Sequence, residues 1–427
     1  MRGIVTIETF STPHRSIWSP PWGFREALLI PCGLVLVGLG LQYLVPNTLS
    51  PALVWPVNAW LFGGLVVLLA LGQGLGGGTR AVRWLGSVPA AVGATVGFAA
   101  VGLLMGVVPQ GPAPAGLEAE LAYRLGLHDI TGSWPYLLAV AWFLLVLGFA
   151  TARRLWPLTL ANLGFFLSHG GLFLAVAGAH LGANDLQRVT LHLQRDQVTW
   201  QGEDRQGRQH EFDFAFKLTR FDIEEYPPEV GLVDRRTGDL EGGQRVELPA
   251  AALKPQGDPA GLRLQAWDLT VREYLESAAR VGDRYVAVRD LGTARAALVQ
   301  ARRVADGLEV QGWITCGSFL RQPQVLDLEP RLSLVMLQPR PKRFLSEATL
   351  YQKDGPTRAV TLEVNKPLAV AGWKVYQLSY DQDLGRWSNV SILEAVRDPW
   401  LPLVYTGIFL MIAGALWLGF LGAKGRD

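Results

Sequence analysis

Six long apolar stretches are separated by polar segments along the chain. A helix that crosses the hydrocarbon core of a bilayer needs about 20 mostly apolar residues. Six stretches meet this requirement: residues 26–45, 51–71, 88–108, 134–150, 158–180 and 401–421. Pro56 and Asn58 interrupt the first turns of the second stretch, which makes it the least regular. The pattern predicts six transmembrane helices.

Between the fifth and sixth stretches, the hydrophobic period shortens to two residues, as in half-buried strands. Residues 189–200 and 211–218 alternate in this way, and the turn at Ala305-Asp306-Gly307 predicts a hairpin from 296–301 to 308–313. Further strands are predicted at residues 332–337, 347–351, 359–364 and 373–380. Residues 268–279 are predicted as a short helix capped by Asp268. The domain is expected to be a β-sandwich or a bent antiparallel sheet.

The predicted fold class is a polytopic α-helical membrane protein with six transmembrane helices and a large, mainly-β extracytoplasmic domain between helices 5 and 6. We predict four regions. Residues 1–84 form a cytoplasmic N-terminus and two accessory helices, and residues 85–180 form helices 3 to 5. Residues 181–399 form the β-rich domain, and residues 400–427 form the last helix and a short cytoplasmic tail.

Composition agrees with a membrane protein and excludes several function classes. Charged residues make up 18% of the chain, against about 25% in a soluble domain. The net charge of +2 offers no basic excess for nucleic-acid binding. The two cysteines, Cys32 and Cys316, form no C-x-x-C motif, which excludes a c-type cytochrome and a thioredoxin-type site.

Basic residues orient the predicted helices, because loops on the cytoplasmic side are rich in Lys and Arg. With six spans, nine basic residues fall on one side: Arg2, Arg15, Arg25, Arg80, Arg83, Arg153, Arg154, Lys424 and Arg426. Outside the large domain, the opposite side carries only Arg124. Both termini are therefore predicted to be cytoplasmic, in the inner membrane, with the large domain outside. The first apolar run lacks the features of a cleavable signal peptide.

His169, near the middle of the fifth stretch, is the principal candidate for chemistry. Ionisable residues within a bilayer usually face a bundle interior or a cavity, and neutral imidazole is a good ligand for haem iron. Gly170 and Gly171 follow it and would admit a flat macrocycle or a neighbouring helix. From the residues alone, a hydrogen bond to an adjacent helix is the commoner role for such a histidine.

His180 lies eleven residues after His169, which places both on one face of a helix at about 100° per residue. His169 is predicted at mid-membrane and His180 near the outer surface. The two could be stations for one cofactor, or His169 could be a core histidine and His180 part of a polar helix end.

The glycine-rich run at residues 72–78 is interpreted as a flexible loop because no strand precedes it.

Several segments together resemble the ResB family, also called CcsB, of system II cytochrome c maturation. The similar segments are residues 96–110, 125–155, 162–182, 364–381 and 397–420. Within them, Val364-Asn365-Lys366-Pro367 and Tyr376-Gln377 are similar to family signatures, interpreted as structural and as part of a hairpin packed near the membrane. Helices 1 and 2 fall outside the usual four-helix core, and residues 238–295 match nothing identifiable.

The resemblance implies a membrane subunit of a system II cytochrome c synthase, which helps carry haem b across the membrane and present it to apocytochrome c. It implies a ResC/CcsA-type membrane partner that carries the tryptophan-rich haem motif. His169 matches the family's membrane histidine and would be an axial ligand, with His180 a second candidate; no catalytic residue is assigned, and the chain is not expected to be an enzyme alone. The alternative is a cofactor-free, membrane-anchored scaffold, and a transporter is disfavoured because no repeat is visible.

Overall fold

A computed structural model describes residues 20–45, 52–111, 120–155, 159–254 and 259–420. The predicted orientation used Arg2, Arg15, Lys424 and Arg426, which lie outside these ranges. The chain divides into two compact units. One consists of Met1–Leu186 with Asp398–Asp427, and the other is Gln187–Arg397.

The first unit is helical. Its helices are α1 (Phe24–Leu44), α2 (Val57–Gly76), α3 (Arg80–Leu85), α4 (Val88–Val107), α5 (Leu121–Arg124), α6 (Trp134–Leu155), α7 (Leu160–Leu181) and α8 (Leu401–Phe420). Six of the described helices, all except α3 and α5, are long and apolar enough to cross a membrane, as predicted. The central helix is α6, which contacts α1, α2, α4 and α7 and has the largest buried share of the six.

The second helix differs from its predicted position. It begins at Val57, directly after Pro56, because proline lacks the N–H that an interior helical position needs. It also continues through Gly76, so most of the glycine-rich run at residues 72–78 is helical and the expected flexible loop is wrong there. Gly72 is needed for packing, since a Cβ at this position would lie 2.8 Å from the Phe149 ring of α6.

The second unit is built from seventeen strands among the described residues. They are β1 (Gln187–Gln194), β2 (Val198–Asp204), β3 (Gln209–Glu225), β4 (Glu229–Asp234), β5 (Leu240–Glu247), β6 (Ala260–Leu264), β7 (Trp267–Val281), β8 (Arg284–Ala287), β9 (Ala294–Arg303), β10 (Glu309–Thr315), β11 (Leu326–Glu329), β12 (Leu332–Met336), β13 (Pro341–Gln352), β14 (Gly355–Glu363), β15 (Leu368–Val370), β16 (Trp373–Tyr380) and β17 (Val390–Arg397). The large mainly-β domain is therefore confirmed.

The strands form three antiparallel sheets. An eight-stranded sheet has the order β14-β13-β3-β2-β1-β17-β16-β15, and its β14 and β16 touch, so the sheet bends back on one apolar face. Along β3 this face carries alternate buried residues, Phe212, Phe214, Phe216 and Leu218. The other two sheets, β10-β9-β7-β6 with β8 on β7, and β11-β12-β4-β5, share a second core around Trp267 as a sandwich. The predicted β9–β10 hairpin is present.

Two local predictions were wrong. The expected helix at residues 268–279 is part of strand β7, and Asp268 does not cap a helix. Register shifts after Val271 and Leu275 each insert one extra residue into the strand. Val271 and Tyr274 therefore pack into one core at a spacing of three residues, and Leu275 and Ala278 pack into another at the same spacing, which imitates a helical period. The run at residues 189–200 contains two strands, β1 and β2, separated by a turn with Asp196 at φ 63°.

Candidate functional site

His169 has one ring nitrogen engaged and one free. Its Nδ1 lies 3.1 Å from the carbonyl oxygen of Phe165, one turn earlier in α7. A carbonyl only accepts hydrogen bonds, so Nδ1 carries a proton, and in the neutral imidazole Nε2 keeps its lone pair. Among the described residues, Nε2 has no hydrogen-bond partner. This arrangement matches that of metal-binding imidazoles, in which the second nitrogen donates to an oxygen and fixes the ring.

The ring of His169 lines a cavity of about 640 Å³ within the helical unit. The start of α4, the second half of α6 and the first half of α7 form its walls. These walls are mostly apolar, and the small side chains of Ala91 and Ala94 on α4 leave room in the cavity. The other apolar lining residues include Phe143, Val146, Leu147, Ala150, Phe165 and Leu172. A neutral imidazole in a large apolar cavity suits a flat hydrophobic ligand with a central metal.

Two arginines at the end of α6 add positive charge to the same cavity. Arg153 and Arg154 both line it. The Arg154 guanidinium lies 4.3 Å from the centre of the Phe165 ring, and that ring stacks on His169 with 3.7 Å between centroids. Within the described ranges, no Asp or Glu pairs with either arginine. From the sequence, both residues indicate only the orientation of the helices, because no local pattern places them beside His169.

His180 is bound on both sides by protein groups. Its Nδ1 donates to the Val176 carbonyl at 2.7 Å, and its Nε2 accepts from the Tyr136 hydroxyl at 2.5 Å. The Phe98 ring of α4 packs edge-on against it. His169 and His180 therefore both face α4 and α6, as the spacing predicts, but only His169 presents a free nitrogen.

Gly170 and Gly171 have different surroundings. A Cβ on Gly171 would lie 2.5 Å from the Gly407 carbonyl oxygen, so this glycine allows α8 to approach α7 closely. A Cβ on Gly170 would meet nothing nearer than the Phe166 ring at 3.7 Å. Of the two roles considered for this pair, Gly171 has the packing role against a neighbouring helix.

Asn58, which in the sequence only interrupts the second apolar stretch, is fully buried. Its Nδ2 donates to the Leu181 carbonyl at 2.8 Å and to the Asp185 carboxylate at 2.7 Å. Trp400 Nε1 also donates to Asp185, at 2.7 Å. Burial alone would raise the pKa of Asp185, but these bonds and that from the Trp55 N–H outweigh it and hold the pKa below its usual value. The cluster joins the start of α2 and the end of α7 to the start of α8.

No cluster of three or more His, Cys, Asp or Glu residues suited to a metal ion occurs among the described residues. Cys32 and Cys316 are free thiols, one exposed in α1 and one buried in the β domain. The candidate site is thus a single imidazole in an apolar cavity with arginines at one end.

Comparison with known proteins identifies one family. The profile of the ResB-like family matches residues 318–390, a segment that runs from the loop after β10 to the start of β17. It includes the Val364–Pro367 and Tyr376-Gln377 signatures, so the resemblance to the ResB/CcsB family is confirmed over this segment. No curated protein matches the chain.

Proposed function

We propose, from the ResB-like match and the cavity at His169, that this chain is the membrane subunit of a system II cytochrome c synthase. The ResB-like family is associated with cytochrome c biogenesis. In this proposal the chain helps carry haem b across the membrane and presents it for attachment to apocytochrome c. The observation that carries the proposal is the free Nε2 of His169 in an apolar cavity of about 640 Å³.

The residues around the cavity fit haem as a transported substrate. Haem has a flat apolar macrocycle, a central iron and two carboxylates. The apolar walls suit the macrocycle, His169 Nε2 offers one axial ligand, and Arg153 and Arg154 suit the carboxylates. Haem supplies the iron, and this chain supplies ligation, orientation and exclusion of water.

His180 is proposed as a later station on the same helix face. Its Nε2 can bind iron only after the hydrogen bond from Tyr136 is broken. The Tyr136 hydroxyl would therefore compete with haem at this histidine. We infer that His169 is the resting site and that His180 becomes available when Tyr136 moves.

The proposed location is the inner membrane, with both termini cytoplasmic and the β domain outside. Arg153 Nη1 lies 3.3 Å from the Arg83 carbonyl oxygen, so basic residues of α3 and of the end of α6 share one end of the helical unit. Positive charge gathered at one end is typical of the cytoplasmic side. A ResC/CcsA-type partner would supply the second axial ligand, and the β domain would receive apocytochrome c.

The rival function is a cofactor-free scaffold that holds partner and apocytochrome together. In that case the bond from His169 Nδ1 to the Phe165 carbonyl would be the whole role of the side chain. An Asn side chain at this position would preserve a local polar contact and cytochrome c maturation. In the haem-binding function, His169→Asn abolishes maturation because an amide is a poor iron ligand.

The decisive experiment is the haem content of the chain purified with its partner. We expect a low-spin haem spectrum for the wild type and its loss in His169→Ala, with recovery on addition of imidazole. The control is His192→Ala, which removes an exposed imidazole from strand β1. Equal haem content and unchanged spectra in His169→Ala would falsify the ligand assignment and favour the scaffold.

A further inference from the structure

A second pocket, of about 580 Å³, adjoins the His169 cavity and shares Ser87, Pro89 and Arg153 with it. We name it the arginine vestibule, after the three arginines Arg80, Arg83 and Arg153 in its lining. Trp84 and Ser87 complete the part of the wall used here. The vestibule lies at the end of the helical unit where α3 meets the start of α4 and the end of α6.

Within the described ranges, no carboxylate neutralises the positive charge of the vestibule. Among the described residues, no Asp or Glu lies within ion-pair distance of its three arginines, and Arg153 makes only long bonds to the carbonyls of Arg83 and Gly86, at 3.3 and 3.4 Å. The acid on the neighbouring helix α1 is Glu26, whose carboxylate already accepts the Gly23 N–H at 2.7 Å. Glu26 lines a neighbouring pocket that shares Trp84 with the vestibule, and it is not itself in the vestibule lining.

Two buried hydrogen-bond donors in the vestibule lining favour a ligand that accepts hydrogen bonds. Trp84 Nε1 and Ser87 Oγ are both shielded from solvent and lack hydrogen-bond partners among the residues that the structure describes. A buried donor left unpaired costs about 1–3 kcal/mol. Ser87 also occupies the N-cap of α4 without capping it, so the positive end of that helix dipole adds to the field. The site therefore combines hydrogen-bond donors with positive charge, which suits a negatively charged ligand that accepts hydrogen bonds.

We propose that the arginine vestibule binds the acidic group of an amphiphile whose apolar body lies in the adjoining cavity. This extends the proposed function, because the carboxylates of a porphyrin seated at His169 are one source of such a group. The phosphate of an anionic lipid is the other source. Both ligands have an acidic group attached to an apolar body. The arginines of the vestibule would contact the acidic group, and the adjoining cavity would hold the apolar body.

The test uses the full-length chain in detergent and a ligand without iron. Metal-free protoporphyrin IX is compared with its dimethyl ester by fluorescence titration. We expect the diacid to bind about tenfold or more tightly than the ester, and Arg80→Gln/Arg83→Gln/Arg153→Gln to remove that preference. The charge-matched control, Arg124→Gln/Arg205→Gln/Arg236→Gln, changes exposed arginines elsewhere and keeps it.

A second arm tests the lipid source. Phosphatidylglycerol binding is measured by native mass spectrometry in nanodiscs of phosphatidylcholine with and without phosphatidylglycerol. Retention that depends on the three arginines assigns the vestibule to a lipid head, whereas a preference for the porphyrin diacid assigns it to carboxylates. Absence of both effects overturns the proposal.

Salt dependence gives a measurement that needs no variant. Raising ionic strength weakens diacid binding to the wild type severalfold and leaves ester binding unchanged, because only the diacid meets the arginines as an anion. Equal salt responses count against the vestibule. Since the porphyrin lacks iron, its binding does not depend on ligation by His169. If haem is not ligated but the preference for the diacid remains, only the proposed function is refuted. If haem is ligated but the preference for the diacid is absent, only this inference is refuted.

Discussion

At the scale of single residues, Gln377 gives a family signature a physical meaning. Its Oε1 accepts from the hydroxyls of Ser346 and Ser391, and its Nε2 donates to the Ser379 carbonyl at 2.7 Å. Ser346 and Ser391 are fully buried, and Gln377 is nearly so. These residues lie on β13, β16 and β17, so one amide ties together three strands of the bent sheet. The structural role expected for the Tyr376-Gln377 pair is consistent with this network.

The network makes a prediction about stability. Gln377→Leu leaves buried hydroxyls without their acceptor, and we expect it to lower the free energy of unfolding by about 1–3 kcal/mol. Gln311→Leu, at an exposed position of β10, is the control and should change stability by less than about 0.5 kcal/mol. Denaturant unfolding of the detergent-solubilised chain, followed by tryptophan fluorescence, measures both. Equal effects would show that the network contributes nothing.

At the scale of elements, glycines set the contact between α7 and α8. Gly407 lies against the backbone of Ala175, Gly414 lies against Ser168, and Gly171 faces the Gly407 carbonyl. Close approach through small residues is a common way for helices to associate in a membrane, where packing replaces the hydrophobic effect. The same helix α7 thus presents small residues to α8 on one side and its two histidines to α4 and α6 on the other.

The glycine contact predicts an asymmetry between neighbouring residues. Gly171→Ala forces α7 and α8 apart and should destabilise the chain by about 1–3 kcal/mol, as overpacking does. Gly170→Ala is the matched control, because its new methyl would meet only ordinary van der Waals contacts. Thermal unfolding in detergent should show a lower Tm for the first variant alone. A similar Tm for both would contradict the packing role of Gly171.

At the scale of the whole molecule, the described part of the chain combines six long apolar helices with a large β domain inserted in sequence between α7 and α8. The two units have separate cores, one around α6 and the others within the sheets. An even number of crossings puts both termini on one side of a membrane. The proposed haem route then runs from an arginine-rich end, past His169, toward His180.

The proposed topology predicts which positions are labelled from outside. In a Cys32→Ala/Cys316→Ala background, Arg205→Cys in the β domain and Arg124→Cys should react with a membrane-impermeant maleimide on intact cells. Gly78→Cys, between α2 and α3, should react only after the membrane is permeabilised. Labelling of Gly78→Cys in intact cells, with protection of Arg205→Cys, would invert the orientation and the direction of the proposed route.

The sequence was most informative where structure depends on local periodicity. Span length and apolarity are properties of one segment, so six helices could be predicted, with errors of a few residues except at Pro56, where the second helix starts late. Alternation likewise located β3 and the β9–β10 hairpin. It failed at β7 because bulges break the period of two, and only pairing with β9 shows which period is real.

The sequence by itself determined the six apolar helices, the strand-rich domain between the last two and the histidine within α7, since each is encoded in the order of neighbouring residues. Tertiary structure decided what those residues meet. It placed Arg153, Arg154 and an apolar cavity beside His169, engaged both nitrogens of His180, and buried Asn58 against Asp185. These contacts join residues far apart in the chain, and no local pattern contains the distances between them.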